Sequence, residues 1–109
     1  MHEFAITRSL LQQILDEARR QGAKRVCQVN LVVGERASVV PECVRFYFEE
    51  LRKGTVAEGA ELHFRTEPLR IRCPKCGSEF SSIAEMCSCN AGGEVVSGEE
   101  LVIESIELE

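Results

Sequence analysis

Two short clusters, "CPKCG" at 73–77 and "MCSCN" at 86–90, bring Cys73, Cys76, Cys87 and Cys89 into one stretch of chain, with ten residues between Cys76 and Cys87. A C-x-x-C turn lets two thiolates face one ion while nearby backbone N–H groups donate to sulfur, and two such pairs build a tetrahedral zinc site with sulfur about 2.3 Å from the metal. The second pair is C-x-C, one residue short of the usual spacing. Either its loop closes with a different turn and both sulfurs bind, or one of them is a bystander and the fourth ligand comes from elsewhere. Binding by all four is favoured, because Zn²⁺ imposes no d-electron geometry and the segment offers no other soft ligand. Four protein ligands leave no open coordination position, so the expected zinc is structural and no catalytic residue is assigned. A redox C-x-x-C ranks lower, since such a motif opens a helix after a strand, whereas "CPKCGSEF" continues with glycine and polar residues. Cys27 and Cys43 read as small buried hydrophobes.

A second constellation stands at the start, "MHEFAI". An α-amino group titrates near pH ~8 and is partly free to bind metal at neutrality, and the imidazole of His2 is a natural companion. Amine, His2 backbone nitrogen and imidazole can close fused chelate rings on Ni²⁺ or Cu²⁺ if the amide proton leaves, with Glu3 supplying a fourth donor from its backbone nitrogen or carboxylate. Taken alone, a histidine at position 2 reads first as a solvated surface residue. His63 reads as a solvated sheet residue, an auxiliary ligand being the lesser alternative.

The elements that must carry these residues follow from periodicity. Phe4 to Gln21 places Leu10, Leu11, Ile14, Leu15 and Ala18 on one helical stripe, and Gly22 ends it. Arg25 to Val33 alternates, with Cys27, Val29, Leu31 and Val33 on one face. Pro41 opens a second helix to about Lys53, with Val44, Tyr47, Phe48 and Leu51 at helical spacing. "ELHFRTEPLRIR" alternates again and slips phase at Pro68, where a bulge or a departure from the sheet is expected. "ELVIESIELE" is the third strand, with a slip between Ile103 and Ile106. The predicted fold is α/β, a two-layer sandwich of a three-stranded sheet with two helices on one face, plus an inserted zinc-ribbon-like subdomain. The expected division is residues 1–70, completed by the strand at 100–109, and an insertion at 71–99 too poor in large apolar residues to build a core of its own.

The 109-residue chain, 44% hydrophobic and 28% charged, has the size of one domain and excludes a large multidomain enzyme. Its net charge of −5, with no base in "SGEELVIESIELE", repels nucleic acid, and the basic groups at 19–20, 24–25 and 70–76 read as solvated faces. No stretch reaches the ~20 apolar residues of a membrane span and no signal peptide is evident, so the expected location is the cytoplasm, where six cysteines serve metal or burial better than disulfides.

"MHE", "GAKRV" at 22–26, "LVVGE" at 31–35, "GTVAEGAEL" at 54–62, the two cysteine clusters and the closing "SGEELVIESIELE" together resemble the HypA/HybF family of hydrogenase-maturation nickel chaperones. The resemblance runs over nearly the whole chain and departs at the second cysteine pair, where the family carries C-x-x-C and this sequence has Cys87 and Cys89. It implies a Ni²⁺ site at Met1, His2 and Glu3, a structural zinc at Cys73, Cys76, Cys87 and Cys89, and nickel as transient cargo. It further implies a nickel-handling GTPase partner and delivery to the large-subunit precursor of a [NiFe]-hydrogenase, or in some organisms to urease. The competing class is a zinc-ribbon module for nucleic acid or protein. The nucleic-acid form needs a basic, aromatic face that "RIRCPKC" and a lone Phe80 do not provide. The sequence leaves the oligomeric state open; an insertion on two crossings invites domain swapping into a homodimer.

Overall fold

A computed structural model describes residues 2–109, and for His2 and Ile83 the backbone alone. The order is α1 (His2–Arg20), β1 (Val26–Gly34), α2 (Pro41–Leu51), β2 (Glu61–Glu67), β3 (Arg70–Arg72), β4 (Glu79–Phe80), a 3-10 turn (Ile83–Glu85), β5 (Glu94–Ser97) and β6 (Leu101–Leu108). The main sheet runs β2-β1-β6, and a second small sheet runs β4-β3-β5. In the main sheet β1 is central, parallel to β2 across the α2 crossover and antiparallel to β6.

The helical stripe read from the sequence is the buried one: Leu10, Leu11, Ile14 and Ala18 join Val29, Leu31, Val44, Phe48 and Leu62 in a single core. Phe64 and Ile103 pack at its margin, so both helices cover the expected sheet face. Gly22 closes α1 at φ +66°, while the Ala23 N–H reaches the Ala18 carbonyl at 2.9 Å. The buried hydroxyl of Thr7 donates to the Glu3 carbonyl one turn back and so needs no water. Phe4 meets Tyr47 edge-on at 5.2 Å between ring centres, tying the first turn of α1 to α2. No helix among the described residues is long and apolar enough to cross a membrane.

Two readings, both of cysteines, are corrected. Cys27 is the extra residue of a bulge in β1, so Val26 takes the core position and Cys27 is half-buried. Cys43 lies exposed on α2 rather than buried. Of the two outcomes expected at Pro68, the departure is the one seen: the chain leaves the main sheet, and Arg70–Arg72 becomes the centre of the second one. The slip expected in the last strand is present as a bulge at Glu104, the residue unmatched between Ser105↔Asn30 and Ile103↔Leu31.

No residue of β3, β4 or β5 contributes to the main core. The radius of gyration is accordingly 17.2 Å, against about 13 Å for a compact domain near this length. The two sheets join at a narrow neck made almost entirely of backbone. Arg36 N–H donates to the Gly98 carbonyl at 2.7 Å, Gly34 N–H to Glu100 at 2.8 Å and Glu35 N–H to Glu67 at 2.8 Å. The Ser97 hydroxyl donates to the Pro68 carbonyl at 3.1 Å.

Candidate metal centre

Residues 73–78 form a tight loop between β3 and β4. Cys73 N–H donates to the Ser78 carbonyl at 2.8 Å and Gly77 N–H returns to the Cys73 carbonyl at 2.9 Å, with Gly77 at φ +78°. That return is why glycine follows the second cysteine. Inside the loop the N–H groups of Lys75 and Cys76 point at Cys73 Sγ, at 3.4 and 3.5 Å. The second pair arrives on the turn at 88–89, and Asn90 takes a left-handed conformation at φ 55°, which asparagine tolerates better than most residues. This turn is how the short C-x-C spacing closes.

The result brings Cys73, Cys76, Cys87 and Cys89 together, every sulfur within 4.8 Å of every other. A tetrahedron with metal–sulfur bonds of about 2.3 Å has edges of about 3.8 Å, so small side-chain rotations suffice to close the set on one ion. Cys73 is buried, Cys76 is exposed, and Cys87 and Cys89 are half-buried. The cluster can hold a metal.

Its electrostatics are already those of a thiolate site. The Ser78 hydroxyl, 2.6 Å from Cys76 Sγ, heads the interactions that lower the Cys76 thiol to about 6. Cys73 is lowered by the N–H groups of Cys76 and Lys75. Cys89 is pushed up to about 12, its proton held between the sulfurs of Cys76 and Cys87. A metal ion therefore enters a cluster in which Cys76 is largely ionised at neutrality and Cys89 is not. Metal uptake at pH about 7.5 is expected to release protons, but fewer than the four that four unperturbed thiols would give up. Affinity falls as the pH drops, most steeply below the Cys76 value of about 6, because protons then reclaim the one strongly depressed thiolate. Calorimetry in buffers of different ionisation heat measures the number; release of all four would contradict this charge distribution.

Among the described residues, Cys27, Cys43 and His63 stay apart from the cluster. His63 is exposed on β2, its Nε2 3.0 Å from a Glu61 oxygen. Glu3 sits half-buried in the first turn of α1, which begins at His2, two residues before the start expected from periodicity. The Met1 assignment lies outside the described residues, as does the His2 side chain. Ser78 and Asn90 are the site's supporting residues that motif reading passed over. A hydroxyl directly after Gly77 and an asparagine directly after Cys89 were the available signals. The basic run at 70–76 is neutralised in part by Glu79, 3.9 Å from Arg70 and 3.3 Å from Arg72.

A small α/β body that sends out a separate, zinc-ribbon-like four-cysteine sheet defines a metal-handling protein. Residues 1–108 match the family model for HypA, described as hydrogenase/urease nickel incorporation, metallochaperone, and the chain belongs to that family. Hydrogenase maturation factors HypA from Caldanaerobacter subterraneus subsp. tengcongensis and Dehalococcoides mccartyi are 39% and 41% identical to it, each over the whole of this chain and over 100% and 95% of their own lengths. Among solved structures, the Ni metallochaperone HypA of Helicobacter pylori superposes with a TM-score of 0.76 at 23% identity, covering 97% of this chain and 96% of that one. A second HypA solution structure gives 0.83, also at 23% identity, over 100% of this chain and 97% of its own. These two likenesses bear on the fold, which is the predicted sandwich with its appended ribbon.

Proposed function

We propose that the chain is a nickel carrier with two metal sites of different character. The four cysteines hold one structural Zn²⁺, and the amine of Met1 with His2 and Glu3 takes up Ni²⁺ as exchangeable cargo. The cargo goes to the large-subunit precursor of a [NiFe]-hydrogenase, or to urease, with a nickel-handling GTPase as the working partner. The chain performs no catalysis of its own, and its setting is the cytoplasm, where its thiols stay reduced. Residues 1–70 with the strand at 100–109 act as the nickel-binding body, and 71–99 as an inserted zinc-binding unit.

The match of a nickel-incorporation family model from residue 1 onward is the observation that carries this reading. The start of α1 at His2 supports it physically. The first four N–H groups of a helix have no carbonyl partner within it, so the backbone nitrogens of His2 and Glu3 are free of helical hydrogen bonds and available as donors. The four-thiol cluster supports the assignment of zinc to the ribbon, since soft sulfur donors in tetrahedral array suit Zn²⁺, while the nitrogen-rich terminus suits Ni²⁺.

The test is nickel titration of untagged, zinc-loaded protein against His2→Ala. One exchangeable Ni²⁺ per chain is expected in the parent. In the variant, or behind an uncleaved N-terminal extension, affinity should drop by roughly 100-fold or more while zinc content is unchanged. Equal stoichiometry and affinity in both proteins would refute the terminal site.

A further inference from the structure

The helix-free face of the main sheet is polar along much of its length: Gln28 donates to Asn30 at 2.8 Å, and Asn30 to Ser105 at 2.9 Å. Beside the neck its character changes. Val32 and Val102 are register partners there, and with β5 they border a groove of about 420 Å³. Val95, Val96 and Val102, all lining it, remain 45%, 41% and 43% exposed.

Two bulges build this groove. In β5 the unmatched residue between Arg70↔Ser97 and Ile71↔Val95 is Val96, so the strand turns both Val95 and Val96 toward the space. In β6 the unmatched Glu104 joins the same lining and binds Arg65 at 2.7 Å. Each bulge adds a side chain that strict alternation would have sent elsewhere.

The rim is acidic. Glu67, Glu99, Glu100 and Glu104 face it with a single cation, Arg65, which is already held by Glu67 and Glu104 at 2.7 Å each. Among the described residues, Glu99 and Glu100 have no cationic partner, and both are exposed.

We propose that this groove docks an extended, cationic segment of a partner protein, its aliphatic side chains against the valines and its Lys or Arg side chains at Glu99 and Glu100. Nucleic acid and anionic membrane are repelled by the same rim. A second copy of this chain is a poor occupant, since it carries a net charge of −5 and its Arg70 and Arg72 already face Glu79. Because the groove spans the neck, the occupant touches both sheets at once. The inference stands independently of where nickel binds.

The test uses the full, zinc-loaded chain with valine methyls labelled for NMR. The probes are an acetylated, amidated Lys-Val-Arg-Val-Lys-Val peptide and its Glu-substituted counterpart. Saturable shifts of the Val95, Val96 and Val102 methyls are expected with the cationic peptide alone. Affinity should fall roughly tenfold in the Glu99→Gln/Glu100→Gln variant and weaken with salt. Unmoved methyls, an equal response to the acidic peptide, or shifts that appear on concentrating the protein without peptide would each overturn the proposal, the last by making the groove an interface between copies. Among the described residues the two carboxylates form no ion pair, so their neutralisation leaves the structure intact.

Discussion

Chelating the metal from the cysteine cluster is expected to unfold the second sheet while the first stays folded. The reason lies in what each sheet buries. The main sheet shares a continuous core with two helices, in which Ile14, Val29, Leu31 and Val44 are fully shielded from water. The second sheet consists of strands of three, two and four residues. Among the described side chains between Leu69 and Ser97, those it removes from water are few: Leu69, Cys73 and Phe80. At about 2 kcal/mol for each fully buried large apolar side chain, that cannot offset an ordering cost of about 1–2 kcal/mol per residue for the backbone alone. In small metal-held domains the apparent binding free energy, about 10–16 kcal/mol with the ordering of the chain already included, is what tips the balance to the folded form. Hydrogen exchange should therefore show protection lost across 71–97 on chelation, with protection in α1, α2, β1, β2 and β6 retained and the helical circular dichroism unchanged. A ribbon that stays protected without metal would refute the assignment of its stability to the ion. Cys87→Ser and Cys89→Ser, made separately, extend the test: each should lower zinc retention, and a variant that holds zinc as tightly as the parent identifies its cysteine as a bystander.

Gly98→Ala should be among the most damaging alanine substitutions in the chain, by about 3 kcal/mol or more. Gly98 has φ +99°, and a Cβ there would sit 2.4 Å from Leu69 Cα, 2.8 Å from Leu69 N and 2.9 Å from the Pro68 carbonyl oxygen. All three contacts are backbone, which cannot swing aside as a side chain can. Gly34 meets the same strand from the other side, where its Cβ would fall 2.2 Å from Gly98 C. The two glycines let three chain segments pass at the neck with no side chain between them. Gly59→Ala is the control, since nothing lies within 4 Å of its Cβ position and its φ is not left-handed. Urea denaturation should show Gly98→Ala strongly destabilised and Gly59→Ala within about 1 kcal/mol of the parent. Similar midpoints for the two variants would contradict the close packing of the neck.

Long elements with one buried face were legible in the sequence, because burial imposes a period that many residues repeat. Both helices and the main-sheet strands fall in this class, as does the bulge near Ile103, visible as a broken period. What stayed hidden was local. A bulge at Cys27 shifts the phase for a single residue, which left Cys27 assigned to the core position that Val26 occupies. Strands as short as Glu79–Phe80 contain no period to read, so the second sheet was anticipated only as a metal-held segment. Cys43 falls on an exposed line of α2, where residue type suggested burial and helical phase, counted from Val44 and Phe48, argued otherwise. For the cysteine cluster, type and spacing pointed to the four residues that the fold brings together, while the turn that reconciles C-x-C with the other pair depends on a backbone conformation at Asn90 that spacing does not encode.

The start of α1 at His2 has a further consequence, electrostatic in kind. A helix of 19 residues directs its peptide dipoles so that the amino end carries about half a positive charge, a field that welcomes anions and opposes a divalent cation. A nickel ion at the proposed terminal site would sit against the field of its own scaffold as long as the first amides kept their protons. Were the amide nitrogens of His2 and Glu3 to lose them on binding the ion, their two negative charges would cancel its own, and the dipole would no longer oppose it. Loading and release would then be set by protons at the helix end, with retention rising steeply with pH and an incoming ligand able to free the ion by letting those amides take their protons back.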